Sequence, residues 1–409
     1  LVGSDRFHVG GLSVRDDRVA ALTSPPRSPT ARFAIPGLRN AHVHLDLSLV
    51  RGVPRADAGF APWVLDLLRR RGPFDPTVLQ RAAAVGAREC LATGTTAVID
   101  VDSSGAAAAA VAASGLGGAS CREVLGKLEP KEVDAWVERF PGFAPGGRLR
   151  PGLSPHAPYS TTPTQYRATR ARAERDGLTW TTHLAETEAE RELLRRGTGE
   201  LRDLLDRLGA PPPFGEPPGA APVRYLREID GLPVNAVLAH VNHPDEGDEA
   251  VLAGLEATVV YCPRSHAFFG HPPHPLRRLR DGGVTVVLGT DSRASNASLS
   301  MLDEMAFLRA ARPDLAPAEL FEMATARAAP IVDGGTGRLE PGAPADLVVV
   351  ESSGGLPDGL DDALDRVTRG SVRVIATIVS GVVCHAVPGF ASDLPALTPP
   401  HGGLLSADS

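Results

Sequence analysis

The sequence contains no apolar stretch long enough to span a bilayer, since its most apolar run, residues 105–119, is short and rich in glycine. Charged residues beginning with Asp5 and Arg6 interrupt the start of the chain, so the pattern of a secretory signal peptide is absent. The four cysteines lie far apart and form no CxxC pair. These absences predict a cytoplasmic protein with no membrane segment and no disulfide framework.

Clustered positive charge is missing as well. The formal net charge is −7, and nearly all basic residues are arginines scattered among acidic ones. Without a basic stripe, nucleic acid is not an expected partner. Hydrophobic residues make up 43% of the 409 residues, enough for a large core. The length fits a TIM barrel together with a smaller domain.

From Asn40 onward, short apolar runs alternate with amphipathic stretches that have apolar residues at three- and four-residue spacing. Such alternation predicts βαβ units and a parallel sheet. Eight runs are candidate strands: 42–47, 95–101, 119–125, 149–155, 178–184, 236–240, 258–262 and 284–289. The clearest candidate helices are 76–92, 163–175, 188–208 and 299–311. Eight strand and helix pairs predict an α/β fold of the closed (β/α)₈ class.

The two ends of the chain have a different pattern, with short strand-like runs separated by turns. These runs are 7–9, 12–14, 346–350 and 372–383. Because neither end could bury a sheet face alone, we expect residues 1–35 and 337–387 to combine into one small β domain. The barrel then covers 36–336, with a proline-rich insertion at 210–221, and 388–409 form a tail.

His42 and His44 are two residues apart on the first candidate strand, so their side chains point to the same face. Two imidazoles this close can share a metal ion. Alone, the pair is weak evidence for a metal site, because a strand with two polar residues facing a loop gives the same pattern. Its position at the end of strand one, where barrel active sites are built, favours a metal site.

Three further polar residues end strands of the same barrel: His183 on strand five, His240 on strand six and Asp291 on strand eight. A buried histidine is commonly a hydrogen-bonded core residue, and an aspartate after a strand is commonly a helix cap. Their convergence at one mouth with the histidine pair favours a functional site. Three neutral ligands and one carboxylate suit Zn²⁺, so we predict a metal held by His42, His44, His183 and Asp291.

Together, these residues resemble the amidohydrolase superfamily, in its branch of aminohydrolases and chlorohydrolases. Besides the HxH pair and the strand-end residues, the resemblance rests on further motifs that extend it to about Val387. They are Ile35-Pro36-Gly37, Ser154-Pro155-His156-Ala157-Pro158-Tyr159, Cys262-Pro263-Arg264-Ser265, Leu339-Glu340-Pro341-Gly342 and Ala345-Asp346-Leu347-Val348.

The resemblance implies a distorted TIM barrel with a small β-sandwich built from both termini, and one divalent metal ion, zinc or alternatively iron. Members with two metals bridge them through a carboxylated lysine at the end of strand four. Here strand four ends in His156, and the only lysines, Lys127 and Lys131, lie elsewhere. We therefore predict the mononuclear form. The oligomeric state stays open, homodimers being common in the family.

The resemblance also implies residue roles. Glu186 is the proton shuttle, although a glutamate in a first helical turn can simply stabilise the helix. Asp291 is ligand and proton acceptor, and His240 polarises the attacking hydroxide. Five residues are predicted to bind substrate: His156, Trp63, Tyr159, Arg264 and Ser265. For the aromatic residues the alternative is a core position, and for Arg264 it is a solvated side chain.

We predict a deaminase of an adenine-type nucleoside. Similarity to aminodeoxyfutalosine deaminases of menaquinone biosynthesis, around Tyr225 and Arg264, favours that substrate. The alternatives are deamination of S-adenosylhomocysteine, methylthioadenosine or guanine, and chlorohydrolysis of an s-triazine. A non-catalytic scaffold would have lost ligands, and none is missing. Two departures bear on the substrate: His266, with His271 and His274 after it, and the lack of a ribose-binding glutamate after the Trp63 loop.

Overall fold

A computed structural model of the chain describes residues 3–24, 32–50, 59–126, 130–138 and 148–390. The described strands are β1 Gly11–Arg15, β2 Arg18–Thr23, β3 Arg32–Pro36, β4 Leu38–Val43, β5 Thr95–Asp102, β6 Gly117–Val124, β7 Leu149–Pro155, β8 Thr179–Leu184, β9 Val237–His240, β10 Thr258–Tyr261, β11 Thr285–Leu288, β12 Leu347–Glu351, β13 Arg373–Val379 and β14 Val382–Ala386.

The described helices are α1 Phe60–Arg71, α2 Pro76–Ala92, α3 Ala108–Ser114, α4 Pro130–Glu138, α5 Pro163–Asp176, α6 Glu188–Arg196, α7 Glu200–Arg207, α8 Pro222–Glu228, α9 Asp248–Gly254, α10 Pro263–Phe268, α11 Leu276–Asp281, α12 Met301–Ala311, α13 Pro317–Met323, α14 Ala329–Val332 and α15 Leu360–Thr368. Several begin at a proline whose missing N–H costs nothing in the first turn. At α5, Thr162 and Gln165 form a reciprocal capping box.

Strands β4 to β11 form one parallel sheet in chain order. Its first and last strands meet, because the backbone N–H of Asp291 donates to the carbonyl of His42 at 3.0 Å and Val43 bridges Asp291. Closure in this way makes the sheet a barrel with helices outside it. The predicted (β/α)₈ barrel is confirmed.

The first barrel strand was expected at 42–47 and lies at Leu38–Val43 instead. Leu45–Leu47 form a 3₁₀ turn, which begins where the N–H of Leu45 donates to the Asp100 carboxylate at 2.9 Å. That bond takes the chain out of the sheet just after the histidine pair. The helix expected at 188–208 is two helices, because Gly197 ends α6 in a left-handed conformation (φ 70°).

Both ends of the chain contribute to a second, smaller β unit, as expected. Strand β3 pairs antiparallel with β12 in a four-stranded sheet of order β14–β13–β12–β3. The hairpin β1–β2 covers it, and Val19 packs into the shared core with Leu347, Ile375 and Ile378. Two predictions were wrong. Residues 7–9 are not a strand, and a turn at Ser380 divides the run 372–383 between two strands.

The insertion at 210–221 contains neither helix nor strand. The tail expected at 388–409 lies outside the described residues from 391 onward. All four cysteines carry free thiols. Within the described ranges, no helix combines the length and the hydrophobicity that crossing a membrane requires.

Candidate active site

Four histidines converge where the parallel strands of the barrel end. His42 lies in β4 and His44 just beyond it, while His183 lies in β8 and His240 ends β9. Asp291 follows β11 and completes the group. All five residues are at most 8% exposed, and the four rings, here called the central cluster, have neighbouring centroids 4.9 to 5.5 Å apart.

The ring nitrogens of the central cluster point at a common space. His44 Nε2 and His183 Nε2 are 3.2 Å apart. The carboxylate Oδ1 of Asp291 lies 3.8 Å from His42 Nε2 and 3.7 Å from His44 Nε2. Ligand atoms of His42, His44 and Asp291, and those of His42, His183 and His240, fall within 4.8 Å of one another.

The protonation of His183 fixes which of its nitrogens is available. Its Nδ1 lies 3.0 Å from the carbonyl oxygen of His156, which can only accept, so Nδ1 carries the hydrogen. In the neutral ring Nε2 then presents a lone pair towards His44. Both nitrogens of His42 are buried and form no hydrogen bond with any residue that the structure describes. Buried lone pairs without donors fit a bound cation.

Burial keeps these histidines neutral, as metal ligation requires. Burial, the largest cause, and neighbouring imidazoles together lower the pKa of His44 and of His240 to about 3 and that of His183 to about 4. The pKa of His42 is also well below its usual value because of burial, with His183 and His44 next in effect. The four predicted ligands are therefore together, and their donor set fits a divalent metal.

Asp291 is anchored through one carboxylate oxygen and free at the other. The hydroxyls of Ser265 and Ser295 each donate to Oδ2 at 2.7 Å. Burial alone would raise the pKa of Asp291, but His240, His44 and the two hydroxyls outweigh it and hold the pKa below its ordinary value. Oδ1 is left facing the histidines. Ser265, predicted to bind substrate, thus hydrogen-bonds Asp291, and its substrate contact stays a prediction.

Glu186 lies beside His240 in the same site. Its Oε1 is 3.7 Å from His240 Nε2, and burial raises its pKa well above the usual range, followed in effect by Asp291 and Glu190. The backbone N–H of Glu186 donates to Glu190 Oε2 at 2.9 Å. A carboxyl group held in place with a raised pKa can carry a proton at neutral pH.

Backbone strain is concentrated at this mouth. Ala185, His240 and Asp291 have φ values of 50°, 73° and 59°, a region that side chains other than glycine adopt at a cost of about 1–3 kcal/mol each. Surrounding bonds hold them there: His274 Nε2 donates to the carbonyl of His240 at 2.9 Å. Asn242 Nδ2 donates to the carbonyl of Glu186 at 3.0 Å.

The other predicted substrate residues lie at different distances from this centre. His156 packs on His183 with centroids 5.0 Å apart, its Nδ1 is 2.5 Å from Ser160 Oγ, and burial lowers its pKa to about 4. Tyr159 meets it edge-on at 5.6 Å. Trp63 stacks with Phe60 and donates through Nε1 to a backbone carbonyl at 3.3 Å.

Arg264 contacts residues outside the central cluster. Its Nη1 donates to Ser298 Oγ at 2.6 Å and lies 3.5 Å from Asp303 Oδ2. The guanidinium therefore holds the segment before α12, and its predicted contact with a substrate tail stays a prediction. Lys131 is exposed on α4, and Lys127 lies outside the described residues.

Some residues of the site were missed from the sequence: Glu123, Glu190, Asn242, His274 and Ser295. Glu123 could have been found, because it ends a barrel strand as the predicted ligands do. Its Oε1 lies 4.0 Å from His156 Nε2. The others act through backbone groups or through Asp291, and no sequence pattern indicates such contacts.

Comparison with known proteins agrees with this geometry. Residues 33–384 match the amidohydrolase family. A 5-methylthioadenosine/S-adenosylhomocysteine deaminase of Nitratidesulfovibrio vulgaris is 30% identical over 372 residues, covering 84% of this chain and 80% of that protein. The crystal structure of Helicobacter pylori aminofutalosine deaminase with methylthio-coformycin has a TM-score of 0.76 at 19% identity, covering 90% of this chain and 93% of that one. Atrazine chlorohydrolase of Arthrobacter aurescens, complexed with zinc, has a TM-score of 0.73 at 21% identity, covering 93% and 92%.

Proposed function

The chain belongs to the amidohydrolase family, and we propose that it is a zinc-dependent deaminase that releases ammonia from an adenine-type nucleoside. The observation that carries the proposal is the buried group of neutral imidazoles with the carboxyl group of Asp291 beside His42 and His44 and that of Glu186 beside His240. Hydrolysis of an aromatic amine needs these elements: a cation site, a proton acceptor and a proton donor.

His42, His44, His183 and Asp291 would hold the metal ion, which would supply Lewis acidity and lower the pKa of water from about 15.7 toward about 7. Asp291 keeps Oδ1 towards the same space, since Ser265 and Ser295 occupy Oδ2, so this oxygen can take up the proton of the attacking water.

Glu186 provides the proton for the substrate ring. Burial favours its neutral form, so it can donate to the ring nitrogen beside the attacked carbon and make the amino group a better leaving group. His240, 3.7 Å away, is neutral and can hydrogen-bond the attacking oxygen. His156 lies one ring away from His183 and can orient the heterocycle.

For the substrate we propose an adenine nucleoside altered at the 5′ position. Two lines support this class. The Nitratidesulfovibrio relative is a deaminase of methylthioadenosine and S-adenosylhomocysteine, and the motifs around Tyr225 and Arg264 favour aminodeoxyfutalosine, a nucleoside of the same kind. We keep aminodeoxyfutalosine as the favoured member.

The test is a screen for ammonia release from adenosine, methylthioadenosine, S-adenosylhomocysteine, aminodeoxyfutalosine, guanine, cytosine and an s-triazine, in parallel with metal analysis. We expect turnover of the 5′-substituted adenine nucleosides, loss of activity after chelation and recovery with zinc. The Glu340→Gln variant, altered in the terminal β unit, is the control and should behave as wild type does. Activity on guanine or a triazine alone would overturn the substrate class and leave the metal chemistry standing.

A further inference from the structure

Glu123 is a carboxylate in the site that the chemistry above does not use. It lies at the end of β6, is 7% exposed, and has Oε1 at 4.0 Å from His156 Nε2. Atoms of Glu123, His156 and His183 that could bind a ligand fall within 4.8 Å of one another. None of the residues that the structure describes donates a hydrogen bond to the Glu123 carboxylate. Such a group needs a donor from elsewhere.

A second metal ion does not fit as the missing partner of the Glu123 carboxylate. A metal ion bound by Glu123, His156 and His183 would need the Nε2 lone pair of His183, because the Nδ1 of His183 already donates to the carbonyl of His156. That lone pair faces His44 and the metal group described above. One nitrogen cannot serve two ions, so Glu123 and His156 are left as a pair of polar groups on the substrate side of His183.

The chemistry of an adenine nucleoside limits what can donate to Glu123. The ring offers acceptors at N1, N3 and N7, and its only strong donor is the amino group that leaves. In the proposed reaction that amino group must lie near Glu186 and the central cluster, because the proton transfers take place there. The remaining donors of the nucleoside are the sugar hydroxyls, and a carboxylate is a strong acceptor for a hydroxyl.

We propose that Glu123 accepts a hydrogen bond from a ribose hydroxyl and so selects ribonucleosides over deoxyribonucleosides, an inference that rests on the proposed adenine-nucleoside function. The Glu123 side chain would then place the sugar while His156 beside it contacts the ring.

The experiment measures kcat/KM of wild type, Glu123→Gln and Glu123→Ala with adenosine, 2′-deoxyadenosine and 3′-deoxyadenosine. For wild type, kcat/KM should be about 10- to 100-fold lower with one of the two deoxynucleosides than with adenosine, the effect expected of a hydrogen bond to a charged group. Relative to wild type, the kcat/KM of Glu123→Ala should fall by about as much with adenosine and change less than about 3-fold with that deoxynucleoside. Glu123→Gln, which keeps the side-chain volume and loses the charge, should fall between. Glu340→Gln is the control.

Binding and metal content provide readouts besides activity. Inosine should bind wild type more tightly than the corresponding deoxyinosine in calorimetry, and the preference should vanish in Glu123→Ala. All variants should keep about one metal per chain. Equal losses on ribo- and deoxynucleosides, or loss of metal from Glu123→Gln, would overturn the inference and leave the deaminase function in place. Absence of turnover for every adenine nucleoside would overturn the proposed function, and this inference with it.

Discussion

The molecule contains two groups of four histidines. The first ends with His240, and the second lies on segments that come later in the chain. The central cluster is described above. The second group, here called the loop cluster, lies on the segments after β9 and β10 and consists of His243, His266, His271 and His274. Neighbouring rings are 5.1 to 5.7 Å apart in the loop cluster, close to the spacing in the central cluster.

What differs is where the ring nitrogens point. In the loop cluster each ring has a partner in the protein: His243 Nε2 lies 3.2 Å from His271 Nδ1, His266 Nδ1 lies 3.0 Å from Asn242 Oδ1, and His274 Nε2 donates to the His240 carbonyl. In the central cluster His42 has none among the described residues, and Asp291 supplies a negative charge. The loop cluster also leaves His271 Nε2 and His274 Nδ1 buried without a partner. Of the two clusters, however, only the central one brings three ligand atoms of described residues to within 4.8 Å of one another. Ring spacing therefore does not identify a metal site, whereas the convergence of ligand atoms on one space does.

The largest effect should come from removing a nitrogen of the central cluster. His42→Ala should abolish metal binding and activity together, because His42 belongs to both ligand groups of the central cluster. Metal analysis and ammonia release measure the two. His271→Ala, the matched change in the loop cluster, should keep the metal. Two metals per chain in active wild type would contradict the mononuclear site.

The next largest effect tests a residue beside the central cluster that is not a ligand. Glu186→Gln should retain the metal and lower kcat by roughly 10²–10⁴, the range for losing general acid–base catalysis. Steady-state kinetics and metal analysis on the same sample distinguish the roles. If the metal is lost and turnover per remaining metal is normal, Glu186 is a ligand.

A smaller effect should follow from the bond between the two clusters. His274→Ala leaves the buried carbonyl of His240 without its donor, which should cost about 1–3 kcal/mol of unfolding free energy. The misplaced His240 ring should lower kcat about 10- to 100-fold with the metal retained. His274→Gln, whose amide can donate to the same carbonyl, should restore much of both. A fall in metal occupancy would instead make the loop cluster part of the metal site.

The smallest effect concerns pH. Burial lowers the pKa of His271 to about 3, followed in effect by His266 and His243. Between that value and about 6.5 the unfolded chain binds a proton at this residue and the folded chain does not. Stability from this source is therefore present above about pH 6.5 and is lost as the pH falls. In denaturation from pH 7 to 5, His271→Gln should flatten the dependence by up to about 1.4 kcal/mol per pH unit. An unchanged slope would show that His271 is protonated when folded.

The convergence of the candidate ligands could be predicted from the sequence because parallel strands bring their carboxyl ends to one mouth of the barrel. His42, His183 and Asp291 need only that rule. Where a side chain points after its strand has ended depends on the loops, and the sequence does not give their paths. Arg264 is an example: the sequence does not indicate its contacts with Ser298 and Asp303, and its contact with substrate stays a prediction. The end of strand one was misplaced because the bond from Leu45 to Asp100 joins residues 55 apart.

The seam at which the barrel closes carries a consequence for assembly of the protein. His42 and Asp291 lie on its two sides, and next to them Asn40 Nδ2 donates to Thr290 Oγ1 at 2.7 Å across 250 residues of chain. The ligands therefore meet only after the whole intervening chain has been ordered, a contact of very long range that folding makes late and slowly. A metal ion held by these residues, as proposed, would link the first and last strands of the barrel. Since it binds only the closed form, it favours closure by mass action, and newly made chains short of metal should spend longer with the seam open.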